Sequence, residues 1–175
     1  MPRTRSSAAF TELILEVFRV NGRLLSAGDA LTRPAGQTSA RWQVLGALED
    51  GPRTVAEIGR RMGLTRQSVQ RTADLLAADG LISYSDNPAH QRAQLAALTS
   101  RGRSTLYAIE SSQIEWANRV ASRLREADLN AALRTLKGVR EAVDVAAAAG
   151  RNRRHGQSAA TPRRSAIRTK PGSQP

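Results

Sequence analysis

The chain contains no cysteine, which excludes disulfides, thiolate metal sites and cysteine redox sensing. Its two histidines, His90 and His155, stand far apart with no acidic cluster beside either, so no metal centre is expected. Aromatic residues make up only 3% of the chain, and the core must therefore come from Leu, Val, Ile and Ala, which favours helices over a β-sandwich. Between Pro2 and the C-terminal stretch the only prolines are Pro34, Pro52 and Pro88, so long helices are permitted. Long hydrophobic runs are also missing. Glu12, Glu16 and Arg19 interrupt the apolar stretch that follows Arg3 and Arg5, which argues against a secretory or membrane-spanning segment and for a cytoplasmic protein. A Gly-rich phosphate loop, a nucleophile elbow, a His–acid pair and carboxylates at catalytic spacing are all absent, so no catalytic residues and no cofactor are expected.

The chain does have apolar residues enough for a core, 40% of 175, and a marked positive charge of +12. Nine of its 27 Lys and Arg lie before residue 6 or after residue 147, which leaves 18 in the centre against all 15 acids. The excess therefore sits on the ends. Positive arms favour polyanions, with nucleic acid first and acidic membrane surfaces second.

Residues 1–7 read as a disordered lead. Phe10, Leu13, Ile14, Val17, Val20 and Leu24 recur at helical spacing, and this first helix is expected to end near Ser26, where Gly28 and Asp29 break it. A loop to Gln37 precedes a second helix over about 39–49, with Thr38 as N-cap and Trp42, Leu45 and Leu48 inward. Thr54-x-x-Glu57 is a capping box and opens a third helix that turns Val55, Ile58 and Met62 inward and ends at Gly63. Leu64 and Thr65 lead into a fourth helix, through about Asp79, with Val69, Thr72, Ala73 and Leu76 inward and Gly80 as its stop. Helix, tight glycine turn and helix make a helix-turn-helix. Strands over 81–85 and 94–98, joined by a turn at Asn87, Pro88 and His90, then form a wing. Thr99 caps a long helix through about Arg125 with Leu106, Ile109, Trp116, Val120 and Leu124 on one line, and a last helix from Asp128 carries Leu129, Leu133, Leu136 and Val143.

The spacing thus predicts a mainly α fold with a small β-wing. Residues 38–101 form a winged helix-turn-helix, and 8–28 with 102–147 form a helical dimerisation region. These outer helices are too apolar to stand alone, so Phe10, Leu13, Val17, Leu129, Leu133 and Leu136 are expected against a second copy of the chain. Residues 148–175 read as a disordered basic tail.

The fourth helix opens Thr65-Arg66-Gln67-Ser68-Val69-Gln70-Arg71. Apart from Val69, every side chain there is polar or basic, and no acid follows until Asp74. A helix N-terminus favours phosphate, Arg pairs with guanine, Gln pairs with adenine, and Ser or Thr serves either base or phosphate. Thr65, Arg66, Gln67, Ser68, Gln70 and Arg71 are therefore the candidate readers of double-stranded DNA. Arg53 and Thr54, at the start of the third helix, are expected at phosphate, with capping as the other role open to Thr54.

The run from Leu64 through Arg66-Gln67-Ser68-Val69-Gln70-Arg71 to Leu76, Gly80 and Leu81 resembles the recognition helix and first wing strand of MarR-family regulators. Arg92-Ala93-Gln94-Leu95-Ala96-Ala97-Leu98-Thr99-Ser100-Arg101-Gly102 resembles that family's closing strand and its Leu-Thr-x-x-Gly passage into the dimerisation helix. The resemblance covers about residues 10–147. It implies a homodimeric, ligand-responsive repressor on a palindromic operator, with Arg92 as the wing-tip arginine of the minor groove. In place of the family's usual Asp two positions before that arginine stands His90, which either touches phosphate when charged or is an exposed loop residue. The resemblance also implies a small aromatic or anionic effector, although Trp42 and Trp116 lie on inward stripes and read as core. The alternative is an architectural DNA-binding protein with little sequence preference, which the basic tail would suit.

Overall fold

The computed structural model describes residues 2–90 and 92–158, and the chain divides between Arg119 and Val120 into two compact units. In the first unit, helix α1 spans Arg5–Thr32 and a single 3-10 turn spans Arg33–Ala35. Helix α2 (Ser39–Ala47), strand β1 (Arg53–Thr54), helices α3 (Val55–Met62) and α4 (Arg66–Ala78), strands β2 (Ile82–Ser85) and β3 (Leu95–Leu98), and helix α5 (Ser100–Ala121) follow. Helix α6 spans Glu126–Ser158. Among the described residues no helix is long and apolar enough to cross a membrane.

Local signals set most boundaries. The Thr38 hydroxyl accepts from the Arg41 N–H at α2, and Thr65 accepts from Ser68 N–H at α4, 3.1 Å away. The capping box of α3 is complete: Thr54 Oγ1 accepts from Glu57 N–H (3.3 Å), and the Glu57 carboxylate accepts from Thr54 N–H (2.7 Å). Gly63 ends α3 at φ +66°, a conformation that disfavours any residue with a Cβ, and this is the tight turn between α3 and α4.

Four expectations are corrected. Helix α1 begins at Arg5, inside the predicted disordered lead, because Thr4 caps it through Ser7 N–H. It also runs past Gly28 and Asp29 to Thr32. Gly28 is buried beside Ser39, and the Asp29 carboxylate accepts from Ser39 N–H at 2.7 Å, so the two supposed breakers instead fasten α1 to the start of α2. The wing is part of a three-stranded antiparallel sheet in the order β1-β3-β2, with Arg53 opposite Ala96 and Thr54 opposite Leu95. The last helix does not stop near residue 147 but continues to Ser158; the remainder of the predicted tail, from residue 159, lies outside the described residues.

The core of the first unit lies beneath the helix-turn-helix. Val44, Leu45, Ala47 and Leu48 meet Val55 and Ile58 of α3, Val69, Ala73 and Leu76 of α4, and Leu81, Ile82, Ala96 and Leu98 of the wing. Thr99 joins wing to helix: its hydroxyl donates toward the Gly80 carbonyl (2.8 Å) and accepts from Gly102 N–H (3.0 Å). A Cβ on Gly102 would stand 1.9 Å from the Leu81 carbonyl oxygen, so only glycine lets α5 start that close to β2.

The capping box makes stability depend on pH in a definite direction. Hydrogen bonds from the Thr54 backbone and hydroxyl hold the Glu57 carboxyl below its ordinary value of 4.5. A depressed carboxyl pKa contributes stability that is complete above the ordinary value and lost as pH falls through the lower folded-state value. Urea unfolding at stepped pH should therefore show a loss of stability below about pH 4.5 that Glu57→Gln flattens, and Thr54→Ala should cost about 1 kcal/mol at neutral pH.

Candidate nucleic-acid interface

Burial fixes the rotation of α4. Val69, Ala73 and Leu76 are fully buried, which turns Arg66, Gln67, Ser68 and Arg71 out to solvent. The side chains of Arg66, Gln67 and Arg71 make no hydrogen bond or ion pair among the described residues, so all their donors remain for a ligand. Thr65 is also exposed, but its hydroxyl oxygen is committed to the cap.

A depression of about 340 Å³ lies between α4, the start of α3 and the wing. Thr54, Arg66, Gln70 and Arg92, widely separated in the chain, all line it, together with Tyr84 and Gln94. The wing turn is held from within: the Asn87 carboxamide accepts from Ala89 N–H (3.0 Å) and the His90 carbonyl accepts from Ala93 N–H (3.0 Å). His90 and Arg92 are both exposed on this turn, but only Arg92 reaches the depression.

Other candidates are more encumbered. Arg53 folds back so that its Nε–H donates to the Ala47 carbonyl (2.9 Å), and its guanidinium lies 3.4 Å from Asp50, so it anchors the end of α2. Gln70 is half-buried and tied down: its Nε2 donates to Asp74 Oδ1 (2.8 Å) and to the Tyr84 hydroxyl (3.2 Å). Tyr84 was not singled out from the sequence. Its hydroxyl donates to the same Asp74 oxygen (3.1 Å), and burial first, then Asp74, pushes its pKa up to about 12. The Gln70-x-x-x-Asp74 spacing is the one sequence signal that could have pointed to two of the three members of this cluster.

A second concavity of about 380 Å³ is lined by Trp42, Gly46 and Glu49 of the α2 region, Arg61 and Met62 of α3, and Leu106, Glu110 and Gln113 of α5. Trp42 packs on the core, as its stripe predicted, yet also lines this cavity. Arg61 is paired with Asp50 at 2.7 Å, whereas the carboxylates of Glu49 and Glu110 have no hydrogen bond or ion pair among the described residues.

The apolar residues expected at a dimer contact remain uncovered. On α1, Phe10, Val17 and Phe18 are exposed and Leu13 is half-buried; on α6, Leu129, Leu133 and Leu136 are exposed.

A sequence model of the MarR family matches residues 35–93. An uncharacterized protein of Mycobacterium tuberculosis (strain H37Rv) is 37% identical over 131 residues, which is 75% of this chain and 92% of that protein. Among solved structures, CouR from Rhodococcus jostii RHA1 bound to p-coumaroyl-CoA superposes with a TM-score of 0.66 at 21% identity, covering 73% of this chain and 90% of its own. The M. tuberculosis transcriptional regulator MosR in complex with DNA gives a TM-score of 0.64 at 21% identity, covering 74% and 96%.

The two arginines should separate by readout. Arg53→Ala should lower unfolding free energy by about 0.5–1.5 kcal/mol through its lost bond to Ala47. Arg66→Ala, with no internal partner, should leave stability within about 0.5 kcal/mol of the parent while weakening DNA binding.

Proposed function

Since this chain belongs to the MarR family of winged-helix transcription regulators, we propose that it acts as a homodimeric, ligand-responsive repressor of a two-fold symmetric operator. The observation that carries the reading is the convergence of Thr54, Arg66, Gln70 and Arg92 on one depression, beside the outward and unengaged Gln67 and Arg71. In this reading α4 lies in the major groove, with Arg66, Gln67, Ser68 and Arg71 toward base edges or phosphates. Arg92 enters the neighbouring minor groove, where a narrow A·T-rich tract concentrates negative potential. Thr54 and the N-terminus of α3 face the phosphates between, while Arg53 supports them from behind. Thr65 caps the reading helix, and His90 stays at the rim of the wing.

The uncovered apolar residues of α1 and of α6 support a partner chain. Helices do not keep Phe18 or Leu133 half or more exposed in water without cause, and a self-complementary helical contact buries such surface in both copies. Two wings on a two-fold axis would address half-sites about one DNA turn, roughly 34 Å, apart. MosR, whose structure holds DNA, has the same fold.

The α2–α3–α5 cavity has the size of a small-molecule site. CouR, of the same fold, is bound to p-coumaroyl-CoA. Here two unpaired carboxylates beside Trp42 and Met62 disfavour an anion and suit a neutral or cationic aromatic effector. Such an effector would release DNA by binding more tightly to a dimer whose two α4 helices miss their half-sites.

Competition binding tests the function. A selected palindrome should outcompete random DNA by at least ~10³, and a ratio near one would indicate an architectural role instead. Arg92→Ala should weaken binding chiefly to sites with A·T-rich flanks, and a loss independent of the flank would remove it from the minor groove. Sedimentation should give a dimer that Leu133→Glu or Phe18→Glu dissociates; a monomeric parent protein would end the dimer reading.

A further inference from the structure

A primary amide offers two N–H donors and one carbonyl acceptor, and a glutamine that reads adenine in two places needs one of each. At Gln70 the amide nitrogen is already engaged. Nε2 donates to Asp74 Oδ1 (2.8 Å) and to the Tyr84 hydroxyl (3.2 Å), which in turn donates to Asp74 Oδ1 (3.1 Å). The three side chains form a closed ring that joins two positions on α4 to one on β2.

The ring has only one workable sense. A carboxylate oxygen accepts, so a reversed amide would set carbonyl against the Asp74 carboxylate. Tyr84 keeps its proton at neutral pH, since its pKa stands at about 12, and it needs that proton for Asp74. What remains of Gln70 is Oε1, which receives no hydrogen bond among the described residues, on a side chain that lines the depression beside Arg66.

We propose that Gln70 reads DNA as a hydrogen-bond acceptor alone, selecting a base that presents an exocyclic amine in the major groove, with Asp74 and Tyr84 as the positioning residues that withhold its donors. This rests on the reading of α4 as the groove-entering helix. The amines available are N6 of adenine and N4 of cytosine, whereas guanine O6 and thymine O4 are acceptors and would be repelled. Gln70 therefore accepts A or C at its position, rejects G and T, and ignores the N7 of adenine. It makes no contact with phosphate either, because a phosphate oxygen needs a donor.

The test uses the full-length protein and a duplex selected from random sequence. In that duplex each adenine is replaced by its analogue without the 6-amino group or by 7-deazaadenine, and each cytosine by its analogue without the 4-amino group. At one position per half-site, loss of the amine should weaken binding about tenfold, with 7-deaza substitution silent and A and C interchangeable. Gln70→Ala should abolish the amine effect at that position only. Tyr84→Phe, which frees one N–H while keeping the ring in the core, should make the 7-deaza substitution costly there and turn the A-or-C tolerance into a preference for A; Asp74→Ala should do the same. Equal sensitivity to amine and N7 in the parent protein would overturn the acceptor-only assignment, as would an amine effect that survives in Gln70→Ala. An unchanged A-to-C ratio in both Tyr84→Phe and Asp74→Ala would remove the positioning role. Failure to select any sequence over random DNA would instead strike the groove-reading premise itself, a separate result.

Discussion

The structure depends above all on the burial of one edge of α4. Val69, Ala73 and Leu76 have no exposed surface, and each is wedged among side chains of α2, α3 and the wing. A packed interior tolerates neither a void nor an added methylene without a cost of one to several kcal/mol, roughly, so the helix cannot rotate by even one residue's worth of angle. That single constraint decides which side chains face outward. It also explains why the opening of α4 can be wholly polar without cost: the polar residues never compete with the buried three for the core.

Four acids around this surface are engaged by partners within the chain, which shapes its electrostatics. Asp74 is held by Gln70 and Tyr84, Glu57 by the α3 cap, Asp50 by Arg61 and Arg53, and Asp79 by Arg41. Arg66, Arg71 and Arg92 have no such partner among the described residues. The outward side of α4 and the wing turn thereby carry arginines that no carboxylate of the described residues pairs with. Surface pairs of this kind add little stability one by one. Their consequence is to set the sign of the field that an approaching polyanion meets.

Features that depend on neighbours along the chain were legible in the sequence. The capping box at Thr54, the cap at Thr38 and the left-handed Gly63 need only three or four consecutive residues to act, and each stands where the pattern put it, whereas the capping role of Thr65 was not read from the sequence. The buried edge of α4 was legible because helical period and burial agree there, although Thr72 is only half-buried. Tertiary contacts overrode the rest. Gly28 and Asp29 read as breakers until Ser39 supplies a partner for the carboxylate and a neighbour for the glycine. Strand β1 has two residues, too few for any alternation, and exists only because β3 is there to pair with. Arg53 looked like a phosphate ligand, and its turn back to the Ala47 carbonyl could not be seen without the end of α2 in place. Of the candidate site, the residues on α4 were legible and Tyr84 was not, since nothing local tells a tyrosine on a wing strand that a carboxylate ten residues earlier faces it.

The Tyr84 contact has a mechanical consequence. Wing and reading helix are connected by backbone through Gly80 and by the core through Leu81 and Ile82, and these joints transmit position but not the orientation of a particular amide. The Gln70–Asp74–Tyr84 ring adds that transmission. Its Tyr84 lies opposite Ala96 on β3, and Ala96 in turn lies opposite Arg53, next to the Thr54 cap of α3. A shift of the wing strands relative to α4 would lengthen the hydroxyl bonds of the ring before it disturbed the buried core, since hydrogen bonds weaken within a few tenths of an ångström whereas packed helices slide as bodies. The amide would then regain a donor. Under the proposed reading of α4 and the wing, specificity at one base and the seating of the wing in its groove would depend on the same set of three hydrogen bonds.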